Sequence, residues 1–283
     1  MNGVKLRSTK FSAQHQRGVA LAIVVWFIAA MSLLVAGVVA AARTDVRYAT
    51  LHREKAQVAA AGDGAINLFL ADAVSGRFES AGVGSTSVSG GMYTVGDIQF
   101  RVLAIPVALH IDPRSANRDL LAELLRISGA VPAEQVPAVV DAVVQWRGGP
   151  AANGKRITVL EDMLEIPGVN RAVLDVFADY VYVSRSNGRS GLAADNLRSR
   201  QALRLLQAVS PAKRAAFGDP AANIPAEANK LASAPIRVDA LATVDGRHWL
   251  RRKWVTLGGR QAGLPWRALQ VDSARVVSKG AGA

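Results

Sequence analysis

The stretch that decides the fold runs from Val19 to Ala42, VALAIVVWFIAAMSLLVAGVVAAA, and Arg43 closes it. At ~1.5 Å per residue it spans roughly 36 Å as a helix, enough to cross a hydrocarbon core of ~30 Å. Ahead of it stand Lys5, Arg7, Lys10 and Arg17 with no acidic residue among them. That flank keeps the N-terminus cytoplasmic and sends the rest of the chain across the membrane. A secretory signal peptide would carry a shorter apolar region, about 7–15 residues, before a small-x-small site such as Ala40-Ala41-Ala42. A plain signal anchor fits the length. A third reading turns on the junction in front of the run, where Gln16-Arg17-Gly18 meets Val19-Ala20-Leu21.

Beyond Arg43 the helical pattern continues. Thr44 to Val74 contains no proline, and Val46, Leu51, Val58, Ile66, Phe69 and Leu70 recur at helical spacing. The spacing predicts one helix from Val19 to the neighbourhood of Ser75-Gly76. Gly62 and Gly64 each cost it roughly 1 kcal/mol relative to Ala, which points to close packing against a sheet. Residues 76–91 (GRFESAGVGSTSVSGG) read as a loop, and Met92 to Leu109 has strand chemistry. Ile236 to Val244 alternates apolar and polar residues, Asp245-Gly246 is a hairpin turn, and Trp249 to Leu257 is the returning strand. Pro265 to Val271 adds an edge strand. Between the two strand regions, Asp119 to Ile127, Ala133 to Trp146, Val159 to Leu164 and Arg171 to Tyr182 are helical, as is 195–209.

The expected fold class is α+β: a long N-terminal transmembrane and stalk helix packed on an antiparallel sheet, with an all-α domain inserted. The boundaries are a leader at 1–18, the helix at 19–75, a discontinuous α/β domain at 76–109 and 187–283, and the helical insert at 110–186. A chain of 283 residues, 50% hydrophobic and 20% charged, holds enough apolar material for a sizeable core and two domains. Cysteine is absent, which excludes disulfides and thiolate metal sites. The formal charge is +12, but the cations are scattered, and only Arg251-Arg252-Lys253 forms a tight run; a solvated surface accounts for them better than nucleic acid does.

The leader, basic and ending in Gly18 directly before the membrane helix, is similar to that of type IV pilin-like proteins. Several further groups together resemble the K-type minor pseudopilins of the general (type II) secretion pathway. They are Gln145-Trp146-Arg147, the run Leu160-Glu161-Asp162-Met163-Leu164-Glu165-Ile166-Pro167-Gly168-Val169, Asp195-Asn196-Leu197, and the hairpin from Arg237 to Leu257. No single motif is specific; their order carries the resemblance, over nearly the whole chain. It implies a pilin-like fold, cleavage by a prepilin peptidase between Gly18 and Val19, and N-methylation of Val19. Pilin-like proteins usually carry Glu at the fifth mature position, and here that position is Ile23. A membrane carboxylate costs at least ~2.5 kcal/mol without a partner. A subunit lacking it suits a tip position, where no subunit lies ahead.

The resemblance further implies a non-enzymatic subunit of the bacterial inner membrane, single-pass, with its body in the periplasm. Its implied partners are other minor pseudopilins of the I and J types, the major pseudopilin, the prepilin peptidase and the inner-membrane assembly platform. Its implied role is to prime the pseudopilus and aid export of folded proteins across the outer membrane. Members of the family hold calcium through carboxylates and carbonyls. Here the turn at His110-Ile111-Asp112-Pro113 and the flanks of Trp146 (Gln145 and Gly148) are poor in acids, which counts against calcium, and no other cofactor is expected.

Two alternatives remain open. One is a minor pilin of a type IV pilus or competence system. The other is a membrane-anchored nucleic-acid-binding protein, because Ile166-Pro167-Gly168-Val169 resembles the hairpin of helix-hairpin-helix modules, which offers backbone N–H groups to phosphate. His15, His52, His110 and His248 are too scattered for a metal site or a catalytic triad and read as surface or half-buried structural residues. No nucleophile elbow or phosphate loop occurs. Trp146, Trp249, Trp254 and Trp266 read as core or interface residues.

Overall fold

The computed structural model describes residues 14–77, 79–81, 88–129, 131–148, 157–183, 192, 197–211, 230–232, 235–261 and 263–277. The chain divides into two compact units, with the division after Glu54. The first unit is helical throughout its described residues, as part of α1 (Gln14–Val74). From Leu21 to Thr50 every side chain is exposed, Trp26 at 73% and Leu33 at 79% among them. The helix is long and apolar enough to cross a membrane. Its few hydroxyls are satisfied locally: Ser32 Oγ donates to Ile28 O at 2.8 Å and Thr44 Oγ1 to Ala40 O at 3.1 Å. Hydrocarbon demands such internal pairing, because no water is there to take its place.

In the second unit, the part of α1 from Lys55 packs on an antiparallel sheet. Its strands are β2 (Ser89–Val95), β3 (Ile98–Pro106), β5 (Ile236–Val244), β6 (Arg247–Gln261) and β7 (Leu264–Val271), hydrogen-bonded in that order, and the short β8 (Arg275–Val276) also pairs with β6. A separate parallel pair joins β1 (Glu79–Ala81) to β4 (Lys230–Ala232). Because side chains alternate along a strand, Ile236, Val238, Ala240 and Ala242 share one face of β5. With Phe100, Val102 and Ala104 of β3 they meet Val58, Ile66, Phe69 and Leu70 of α1 in one core. Each Leu, Ile or Phe buried there is worth about 1.5–3 kcal/mol relative to exposure.

The expected architecture is the one found, with differences inside it. The long apolar region from Met92 to Leu109 is a hairpin and not one strand. Gly96-Asp97 is its two-residue loop, with Gly96 at φ +59°. Positive φ at the first loop position is what glycine supplies in a tight hairpin. The second hairpin turns at Asp245-Gly246, with φ of 49° and 73°, as the sequence predicts. Gly62 shows why α1 accepts a poor helix former: a Cβ there would stand 2.8 Å from the Cβ of Arg251 on β6.

The other face of the sheet meets the helical elements. These are α2 (Arg118–Ser128), α3 (Val136–Gly148), a 3-10 turn at Leu160–Glu165, α4 (Arg171–Phe177) and α5 (Leu197–Val209). Asn117 caps α2 through Leu120 N at 2.9 Å, and Asn170 caps α4 through Val173 N at 3.0 Å. Leu120 and Leu124, Val139 and Val143, Phe177, and Leu203 and Leu206 form a second core that reaches β3 at Ile105. α5 contributes to this helical core, and the expected helix Arg171 to Tyr182 ends at Phe177.

Candidate functional site

Gly18 and Val19, the expected cleavage junction, lie within α1. Ile23, at the expected fifth mature position, is 61% exposed on the apolar helix. Asp195 and Asn196 fall outside the described residues, as does most of the leader. Among the described residues no group of three or more His, Cys, Asp or Glu side chains is placed to hold a metal. At the turn expected to be poor in calcium ligands, the Asp112 carboxylate is taken by Arg114, with Nε donating at 2.9 Å and Nη2 at 2.8 Å.

The densest chemistry lies where the second face of the sheet meets the chain that leads into and out of the helical segment. Arg237 and Asp239 share a face of β5, and Arg252 and Trp254 share a face of β6. The register sets Asp239 opposite Arg252 and Arg237 opposite Trp254. All four are buried, as are His110 and Asp179. Arg252 donates to both Asp239 oxygens, from Nε at 2.7 Å and Nη2 at 3.0 Å, and also to Asp179 Oδ1 at 2.8 Å and Ala178 O at 2.7 Å. Such forked, charge-assisted bonds are the strong kind. Ser210 Oγ donates to Asp179 Oδ2 at 3.1 Å, and Arg275 reaches Asp179 Oδ1 from the solvent side at 3.3 Å.

Arg237 is less well served. Its Nη1 donates to Asp179 O at 2.6 Å and meets His110 Nε2 at 2.9 Å. Nη2 forms a 3.1 Å ion pair with Asp239 Oδ2 without hydrogen-bond alignment, and Nε has no hydrogen-bond partner. Burial, with the nearby Arg252 charge, lowers the Arg237 guanidinium to about 10. Arg252 is equally buried, yet Asp239 and Asp179 hold it above the usual arginine value. Burial pushes Asp239 up, and the charges of Arg237 and Arg252 outweigh it and keep the carboxyl below its ordinary value.

His110 Nδ1 lies 3.1 Å from Pro106 O, so Nδ1 carries the proton and Nε2 accepts from Arg237. The imidazole is therefore neutral. Burial first, and then the charges of Arg237 and Arg252, hold its pKa well below the ordinary value. Trp254 closes the site with its ring centroid 5.1 Å from that of His110 and 4.7 Å from that of Tyr182, and Arg237 Cζ stands 5.9 Å over it.

His110, expected as a surface or half-buried structural residue, is fully buried, and of the run Arg251-Arg252-Lys253, expected at a solvated surface, Arg252 is buried and its two neighbours are partly so. Arg251 and Lys253 point to the α1 face, where Asp63 accepts from Arg251 Nε at 2.7 Å and Nη2 at 2.9 Å and pairs with Lys253 at 3.0 Å. A signal for the buried pair was available. A two-residue turn at Asp245-Gly246 fixes the strand register and sets Asp239 across from Arg252. The hairpin at Ile166-Pro167-Gly168-Val169 closes with Val169 N donating to Ile166 O at 3.0 Å. Its flank carries Glu161, Asp162 and Glu165, charges that repel phosphate, and the Asn170 side chain is committed to capping α4.

No protein-family model matches the chain, and no curated protein matches it. Among solved structures, the crystal structure of the GspK-GspI-GspJ complex from the enterotoxigenic Escherichia coli type 2 secretion system is similar at 11% identity and a TM-score of 0.37. The match covers 82% of this chain and 98% of that one. So remote a likeness carries no argument about function.

Proposed function

We propose that this chain is a minor pseudopilin of the type II secretion system, placed at the pseudopilus tip, where it primes assembly and aids export of folded proteins. The observation that supports the reading is the continuity of α1. In sequence a basic leader ending in Gly18 directly precedes the apolar run, α1 is helical from Gln14 through that run, and from Val58 it builds the core of an antiparallel sheet. A removable signal peptide has no reason to extend into the core of the body, and a plain anchor has no need to.

Under this reading a prepilin peptidase cuts between Gly18 and Val19, and the new Val19 amine is methylated. The exposed apolar side chains from Leu21 onward hold the subunit in the inner membrane, with the body in the periplasm, until they pack against the equivalent helices of other pseudopilins. Ile23 lacks the carboxylate that would pair with the amine of a subunit ahead, which fits a terminal place. The partners are minor pseudopilins of the I and J types, the major pseudopilin and the assembly platform, and the role is structural, not catalytic. Mass analysis of the mature N-terminus, with and without the cognate peptidase, tests the reading. A methylated Val19 terminus that appears only with the peptidase is expected. An intact leader, or cleavage after Ala42, would overturn it.

A further inference from the structure

The helical segment is tied to the sheet by the packing of its core on Ile105 and by a neck of paired chain. Ile111 N donates to Tyr180 O at 2.9 Å and Tyr182 N to Ile111 O at 3.0 Å, so the chain entering the segment pairs with the chain leaving α4. Leu192 N adds a bond to His110 O at 2.8 Å. The buried ionic group sits on this neck. Asp179 and the carbonyls of Ala178 and Asp179 come from its leaving strand, His110 from its entering strand, and Arg237, Asp239 and Arg252 from the sheet. The α1 face of the sheet has its own core, which shares no side chain with the helical one. The neck can therefore open without dissolving the sheet.

We propose that the His110–Arg237 contact is an acid-releasable clasp: protonation of His110 at Nε2 opens the neck and frees the helical segment from the sheet, while the α1–sheet core stays folded. With His110 neutral, the buried charges of Arg237 and Arg252 are matched by Asp239 and Asp179. A proton on Nε2 removes the lone pair that His110 offers Arg237 Nη1, leaving Nη1 the Asp179 carbonyl, and puts a cation 2.9 Å from a guanidinium. Among the described residues, the acidic groups nearby are already engaged. Asp239 is engaged by both arginines, and Asp179 by Arg252, Arg275 and Ser210. Pro106 O already takes the Nδ1 proton, while Trp254 and Tyr182 close the remaining side. Tyr180 and Asp272 stand further out, and burial pushes the Tyr180 hydroxyl up to about 12, so it stays neutral.

The sign follows from the direction of the shift. An open neck exposes His110 to water with its ordinary value near 6.5, whereas the closed form resists the proton. Above that pH the closed form keeps its full advantage; below it, the advantage falls by up to about ten-fold per pH unit. Hydrogen exchange of the full chain in detergent micelles between pH 7.5 and 5, corrected for intrinsic exchange, measures this. The amides of Ile111, Tyr182 and Leu192 are expected to lose about ten-fold protection per unit below pH 6.5, while those of Val102, Ala104, Val238 and Ala240 hold. The step should vanish in His110→Gln, whose amide oxygen accepts from Arg237 and takes no proton. Neck protection unchanged down to pH 5 would overturn the clasp, and so would neck and sheet amides failing together or a step that survives in His110→Gln. The wild-type comparison decides even if the variant folds poorly.

Discussion

The two faces of the sheet are held by different means. On the α1 face the side chains that interlock are apolar, and the charges of Asp63, Arg251 and Lys253 lie at its margin, with Asp63 one-third exposed. On the other face an ionic group joins the apolar contacts of Leu103, Ile105, Leu241 and Leu250, and Arg237, Asp239 and Arg252 are wholly or almost wholly shut from water. Apolar packing tolerates small shifts of a helix along a sheet. A forked arginine–carboxylate pair does not, because both charges must meet their partners or bear the cost of burial alone. The difference teaches that the sheet carries one face made for cohesion and one made for a fixed, breakable registration of the helical segment.

The sharpest break of that comparison is Arg252→Met. It takes from Asp239 its forked partner and from Asp179 its nearest cation, and removing one member of a buried pair costs about 3–5 kcal/mol. Denaturant unfolding of the full chain in micelles reads the loss as a lower midpoint. The double variant Arg252→Met/Asp239→Leu should recover only part of it, since the pair is then replaced by apolar side chains but the buried Arg237 loses its ion pair with Asp239. If the single variant costs less than about 1 kcal/mol, the ionic face is ornamental and the contrast between the faces fails.

These two faces also differ in how readily the sequence discloses them. The α1 face was readable because its apolar residues keep period: Val58, Ile66, Phe69 and Leu70 on the helix, and Ile236, Val238, Ala240 and Ala242 on the strand. The partner of each pattern is the other. The charged positions of β5 looked like the solvent side of a half-buried strand, because alternation is blind to what covers the second face. His110 and Asp179 are remote in sequence from Arg237, and no local pattern announces a contact across that separation. The hairpin inside Met92 to Leu109 was legible in the Gly96-Asp97 pair, a two-residue loop with glycine first, yet the continuous β propensity around it hid the turn. Which core α5 would join was not written in its own amphipathic pattern, since either side of the sheet offers an apolar surface.

Gly62→Ala tests the cohesive face with an intermediate effect. In an isolated helix the change would stabilise by about 1 kcal/mol. Here the added methyl stands 2.8 Å from the Arg251 Cβ, an atom fixed by its strand, so helix and sheet must part. Overpacking of this kind costs about 1–3 kcal/mol, and thermal unfolding should show a lower midpoint despite the better helix former. Gly64→Ala is the control. Its methyl would meet the Val95 side chain, Cγ1 at 3.3 Å and Cγ2 at 3.6 Å, a contact that a small shift relieves. A stabilised Gly62→Ala would mean that α1 does not lie as close to β6 as the geometry requires.

The smallest effect is expected at the margin of the same face. Asp63→Asn keeps one hydrogen-bond acceptor for Arg251 and removes the charge that both Arg251 and Lys253 meet. Because Asp63 is one-third exposed, water and salt share the work, and such pairs are worth about 1 kcal/mol or less. The informative quantity is the dependence on salt. At 1 M ionic strength, where screening acts within ~3 Å, the difference between Asp63→Asn and the parent should vanish. The Arg252→Met deficit should persist, because ions do not enter the interior where Asp239 and Asp179 lie. Equal salt sensitivity at the two sites would mean that water reaches both, and the ionic face would then be a margin like the other.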